Sequence, residues 1–116
     1  MDRHVAMQLE HKEVLQILAD VYLQQSQTDK AVTLLEALYH LYPNDAAVAK
    51  ALSYAYLLAG RAEDTLAMSD VFLRLAGSSS DSNPILLIRS KALWTLGRVE
   101  EARTTLNRYT ELGAGA

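Results

Sequence analysis

Tyr22 and Tyr56 stand 34 residues apart, and the same spacing separates Leu18 from Leu52, Ala19 from Ser53 and Ser26 from Gly60. A fixed period of that length means that one supersecondary unit is copied along the chain and buries its apolar face on the next copy. The expected product is a stack of units, with any binding surface running along the stack. Gly60 and Gly97 lie 37 apart, so the third unit keeps the pattern with three extra residues. The run Gly-Ser-Ser-Ser-Asp-Ser-Asn at 77–83 favours turns over helix and is the natural place for them.

Within each period the apolar residues recur at three and four, the spacing of an amphipathic helix. Val14, Leu15, Leu18, Val21 and Tyr22 predict a first helix over 11–24, continued towards Asp2 by Val5 and Leu9. Ala31, Leu34, Leu35, Leu38 and Leu41 mark a second, with Thr28 as its cap and Pro43 as its stop. Asn44 and Asp45 cap a third, which carries Val48, Leu52, Ala55, Tyr56 and Ala59 and ends at Gly60. A fourth begins near Arg61 and reads as the weakest, because Thr65 and Ser69 interrupt its apolar face. Helices over 83–96, with Pro84 in its first turn, and 99–112 complete six, leaving 113–116 as a frayed tail.

A helix-turn-helix unit of 34 residues with small residues at Ala19, Ser53 and Ser90 resembles the tetratricopeptide repeat. The resemblance implies an all-α single domain over 1–116, three tandem repeats (about 12–45, 46–79 and 83–116) forming a short right-handed solenoid. Leu18, Ala19, Tyr22, Ala31, Leu35 and Pro43 match the motif in the first repeat. Leu52, Ser53, Tyr56 and Gly60 match it in the second, and Ser90, Leu93, Gly97, Ala102 and Leu106 in the third. Arg89 stands where an apolar residue is expected. The small residues are expected to let paired helices approach closely, while Tyr22 and Tyr56 wedge between successive units.

The length, the three repeats, and the segments Leu34-Leu35-Glu36-Ala37-Leu38 to Pro43 and Ala102-Arg103 to Leu112 are similar to the small tetratricopeptide chaperones of bacterial type III secretion. The likeness is to the YscY type, with the YscG type as its sibling. It implies a cytoplasmic, non-enzymatic virulence chaperone that forms a heterodimer with an early-secreted, YscX-like partner and engages the export gate. A scaffold or oligomerisation module of another bacterial assembly is the alternative.

In such a solenoid the first helix of each pair lines the concave face. That geometry nominates Glu13, Gln16, Asp20, Leu23 and Gln24, then Lys50, Tyr54, Leu57 and Leu58, then Leu87, Lys91 and Trp94 as partner-binding residues. Leu23, Tyr54, Leu57, Leu58, Leu87 and Trp94 are expected to form an apolar strip for an amphipathic helix or an extended peptide. Trp94 either anchors the partner there or packs on its own terminal helix or a neighbouring molecule. Gln16, Asp20 and Tyr54 stand where a clamp for an acidic C-terminus would place a lysine and asparagines, and Asp20 would repel such a ligand.

Composition removes other functions. Half of the residues are apolar and 22% charged, an ordinary globular balance, and the formal charge of −3 with no basic stripe disfavours nucleic acid. Zero cysteines exclude disulfides and thiolate chemistry, in keeping with the cytoplasm. No stretch resembles a signal peptide or a membrane span. His4 and His11 would lie two helical turns apart, too far to share one metal ion, and His40 reads as a solvated residue. Glu100-Glu101 and Glu63-Asp64 have no base, phosphate cradle or oxyanion donor beside them, so no catalytic residue, metal or cofactor is expected.

Overall fold

The repeat is written into the backbone as one turn made three times. In the computed structural model the amides of Gln27, Arg61 and Arg98 donate to the carbonyls of Tyr22, Tyr56 and Leu93 at 2.8–2.9 Å. The amides of Ser26, Gly60 and Gly97 donate to Leu23, Leu57 and Trp94 at 3.0–3.1 Å. This pair of bonds satisfies the last carbonyls of a helix and requires a left-handed residue at the bend. Gly60 and Gly97 supply it freely, whereas Ser26 adopts it with φ of 60° despite its Cβ.

The structure describes the backbone of residues 3–77 and 82–115 and the side chains of residues 11–77 and 84–112. Among these residues six helices follow in order: α1 (Arg3–Gln24), α2 (Thr28–Leu41), α3 (Ala46–Leu58), α4 (Ala62–Ala76), α5 (Ser82–Thr95) and α6 (Val99–Gly115). The His4 side chain and most of the serine-rich stretch expected to form a loop lie outside the described residues. Several helix ends differ from expectation, α5 by one residue at each end. Thr28 is the first helical residue and Gln27 the cap, without a side-chain bond, because the shared turn fixes where α2 starts. α6 is assigned to Gly115, beyond the Leu112 end read from its apolar spacing.

The helices pair as α1 with α2, α3 with α4 and α5 with α6, and each hairpin packs on the next, with α3 also touching α5. Such neighbour-only packing gives an elongated body of 50 × 30 × 21 Å and a radius of gyration of 15.1 Å. A compact chain of this length would have about 13 Å. Leu35, Leu38, Val48, Leu52 and Ala55 of the predicted stripes are buried in one cluster with Val32, Phe72 and Ile85, whereas Val14, Leu18, Val21 and Leu41, expected on the same stripes, are exposed because no described element packs over them. Ala19, Ser53 and Ser90 are buried at the helix contacts, and the two serine hydroxyls donate to the carbonyls of Lys50 and Leu87, so neither is left unpaired.

Polar groups cross-link the first joint of the stack. Asp45 caps α3 by accepting from the Val48 amide at 3.2 Å and receives a 2.6 Å bond from Lys12 of α1. Tyr56 donates to Glu36 of α2 at 2.6 Å under the Arg61 guanidinium, which lies 4.5 Å from its ring centre. Burial and that carboxylate push the Tyr56 hydroxyl well above its usual range. Tyr56 is thus the wedge between units that its spacing implied. Tyr22 is only half-buried, against the side of α2 and beneath the Lys30 ammonium, because no described hairpin precedes α1.

Burial alone would raise the Asp45 carboxyl, but the Lys12 bond and the Val48 and Ala47 amides together hold it below its normal value. A carboxylate with a lowered folded pKa adds stability above its unfolded pKa and loses it as pH falls through the folded one. Asp45→Ala is expected to cost about 1–2 kcal/mol at neutral pH. In urea titrations the gap between wild type and variant should close below about pH 4; a gap independent of pH would contradict this assignment.

Of the three residues that looked like defects, Ser69 and Arg89 tie a second joint. Thr65 and Ser69 of α4 are fully buried, and their hydroxyls donate to the carbonyls of Arg61 and Leu66. Arg89 of α5 reaches across and donates to Ser69 Oγ and to Asp70, each at 2.6 Å. The arginine that replaces an apolar residue therefore meets the serine that replaces another. The fourth helix keeps a regular run from Ala62 to Ala76 with its interruptions satisfied.

Candidate functional site

The inner helices α1, α3 and α5 carry the concave face. Gln16 and Asp20 of α1, Ala47, Lys50, Ala51 and Tyr54 of α3, and Ile88 of α5 surround a hollow of about 450 Å³. A second of about 260 Å³ adjoins it, lined by Asp20, Leu23, Gln24, Ala51, Tyr54 and Leu58. The two share Asp20, Ala51 and Tyr54 and so make one trough. Its floor is small and apolar, its rims carry Lys50 on one side and Asp20 on the other, and Tyr54 and Leu58 project about half exposed.

Seven of the residues nominated from spacing meet there: Gln16, Asp20, Leu23, Gln24, Lys50, Tyr54 and Leu58. Leu57 is half-buried and lies outside both hollows, and Glu13 is exposed beyond them. Leu87, Lys91 and Trp94 do not join the trough. They line a separate hollow of about 310 Å³ with Ser90 and with Ala102, Arg103 and Leu106 of α6. The single strip read from the sequence is therefore two surfaces. Each inner helix closes its part of the trough against the inner helix that follows, and among the described residues α5 is followed by α6 alone.

Ala47, Ala51 and Ile88 were not nominated, although Ala47, Ala51, Tyr54 and Leu58 fall on one i, i+4, i+7, i+11 line of α3. Alanine carries no chemistry, but here its small size makes the trough deep. No group of three histidine, aspartate or glutamate side chains among the described residues could hold a metal ion. Among them, too, no helix is long and apolar enough to cross a membrane.

Hairpins repeated at 34 residues, joined by one turn and stacked around a trough of inner helices, give the chain the all-α solenoid fold of tetratricopeptide repeats. The tetratricopeptide repeat family profile matches residues 12–55, the first hairpin and most of α3. Among solved structures the chain is similar to MamA AMB-1 in space group P212121, with a TM-score of 0.80 at 24% identity over 98% of this chain and 66% of that one. An arginine-to-glutamate mutant of MamA gives 0.76 at 24% identity over 88% of this chain and 72% of that one. An aspartate-to-lysine mutant gives 0.76 at 24%, over 97% and 60%. The chain thus spans a little under two thirds of the length of MamA AMB-1. At this identity the likeness is one of fold. No curated protein sequence matches the chain significantly.

Proposed function

We propose that the chain is a non-enzymatic chaperone of type III secretion, acting in the cytoplasm, that holds an early-secreted partner in the α1/α3/α5 trough. The observation that carries the reading is the trough itself: adjoining hollows with an apolar floor, two projecting apolar side chains and rims of opposite charge. Such a surface suits an amphipathic segment that buries its apolar side on Ala51, Tyr54 and Leu58 and keeps its polar side to Asp20, Gln24 and Lys50. The family resemblance of the α2 and α6 segments supports the secretion assignment and the YscX-like identity of the partner. A scaffold or oligomerisation module is the second reading, favoured by the exposed apolar ends of the stack.

The test is co-expression with a YscX-like secreted protein and affinity capture. Tyr54→Glu and Leu58→Glu, both at half-exposed positions, should weaken capture about tenfold or more with helical content unchanged. Undiminished capture by both variants would remove the trough as the binding surface. Partner binding should also raise the unfolding temperature of the chain in proportion to the logarithm of partner concentration.

A further inference from the structure

Among the described residues the first and last hairpins leave apolar faces exposed, and these faces match in register. At each internal joint an inner helix offers one face to the hairpin before it. In α3 that face is Val48, Leu52 and Ala55, and in α5 it is Ile85, Arg89 and Ala92, all buried or half-buried. One period earlier the same positions are Val14, Leu18 and Val21 of α1, and these are 60%, 38% and 38% exposed, with Ile17 beside them at 62%. The receiving surface repeats as well. Val32 and Leu35 in the first repeat, and Leu66 and Ser69 in the second, are covered by the next hairpin. Their counterparts Arg103 and Leu106 instead line the open hollow beside Trp94, which is 64% exposed.

We propose that these ends are the two halves of one interface, and that a second copy of this chain seats its α1 on the α5–α6 face, continuing the stack head to tail. The register fixes the partners. Leu18 of the incoming copy comes to Leu106, as Leu52 and Leu35 share the core cluster at the first joint and Arg89 meets Ser69 at the second. Tyr22, whose counterpart Tyr56 donates to Glu36, comes against Asn107, whose side-chain carbonyl can accept. The charges agree. In the trough Asp20 sits with Ala47, Lys50 and Tyr54 of the following inner helix. At the new joint the counterpart of Asp20 is Lys91, and the counterparts of Ala47 and Tyr54 are Glu13 and Asp20 of the second copy, so a cation faces two carboxylates. A neighbour of different sequence would have to reproduce this register and sign, which the chain already carries on its own other end. The contact uses two different surfaces, so it does not close on a dimer and extends to longer oligomers or a ring.

Trp94 is the single tryptophan of the chain and lies in the proposed contact, so its emission reports on it. In sedimentation velocity the 116-residue chain should gain mass with concentration beyond a dimer, with a blue shift of tryptophan emission. Ile17→Glu and Trp94→Glu should each abolish association with unchanged circular dichroism, and Val14→Glu should repeat the Ile17→Glu result. An equimolar mixture of Ile17→Glu and Trp94→Glu should form a 1:1 complex and stop there, because each variant keeps the half that the other has lost. Leu58→Glu, in the trough, should associate like wild type. A chain monomeric at its highest soluble concentration, association surviving either end substitution, a mixture that stays monomeric, or loss of association in Leu58→Glu would each overturn the proposal.

Discussion

Leu52→Ala is expected to lower the unfolding free energy by about 3 kcal/mol, whereas Leu18→Ala should cost about 1 kcal/mol. The two leucines occupy the same register of the same kind of helix, one period apart, and differ in what lies in front of them. Leu52 is 1% exposed in the core cluster; Leu18 is 38% exposed at the end of the stack. Removing Leu52 leaves a cavity that two hairpins cannot collapse without losing their other contacts, so the cavity term adds to the lost transfer energy. Against a total of about 5–15 kcal/mol this is a large share, and the melting temperature should fall by roughly 10 °C. Equal losses at the two positions, measured in dilute solution by denaturant titration, would mean that the joint between the first two hairpins is not where the apolar stability resides.

The second large effect is a coupling. Arg89→Leu and Ser69→Leu restore, one at a time, the apolar residues that the first joint has at Leu52 and Leu35. Each alone should destabilise by about 1–3 kcal/mol: the first withdraws a donor from Ser69 and Asp70, and the second puts an apolar group against a guanidinium that then loses its buried acceptor. The double variant should recover most of the loss, giving a coupling of about 2 kcal/mol in a double-mutant cycle. Additive losses would show that Arg89 and Ser69 act independently despite their 2.6 Å contact.

These positions show what was legible in the sequence. Period and amphipathic spacing are local properties of a helix, so the six helices, the Gly60 and Gly97 turns and the buried stripe follow from them. Thr65, Ser69 and Arg89 read as departures because each was weighed against a pattern for its own helix. For Ser69 and Arg89 the meaning lies across a joint, between residues 20 apart, and no single-helix pattern carries it; Thr65 is satisfied within its own turn by the Arg61 carbonyl. The choice for Trp94 between the trough and its own terminal helix was open for the same reason, and it lies beside α6. Helical spacing gives the face on which a side chain lies; whether that face looks into a trough or off the end of a stack depends on the next helix. In the half of the trough lined by α1 and α3, spacing places Gln16, Asp20, Leu23, Gln24, Lys50, Tyr54 and Leu58 but not Ala47 and Ala51, and it puts Glu13 and Leu57 where the hollows do not reach.

The two joints differ in how they resist bending. Lys12 with Asp45 and Glu36 with Tyr56 tie the first and second hairpins at two separate points, which fixes their tilt as two bolts fix a plate. Across the second joint the polar ties among the described side chains radiate from the single guanidinium of Arg89, which acts as a pivot. The third hairpin is thus tied to the second through one centre, and because Ile88 on that hairpin forms one wall of the trough, the same arginine that joins the hairpins also sets where that wall stands.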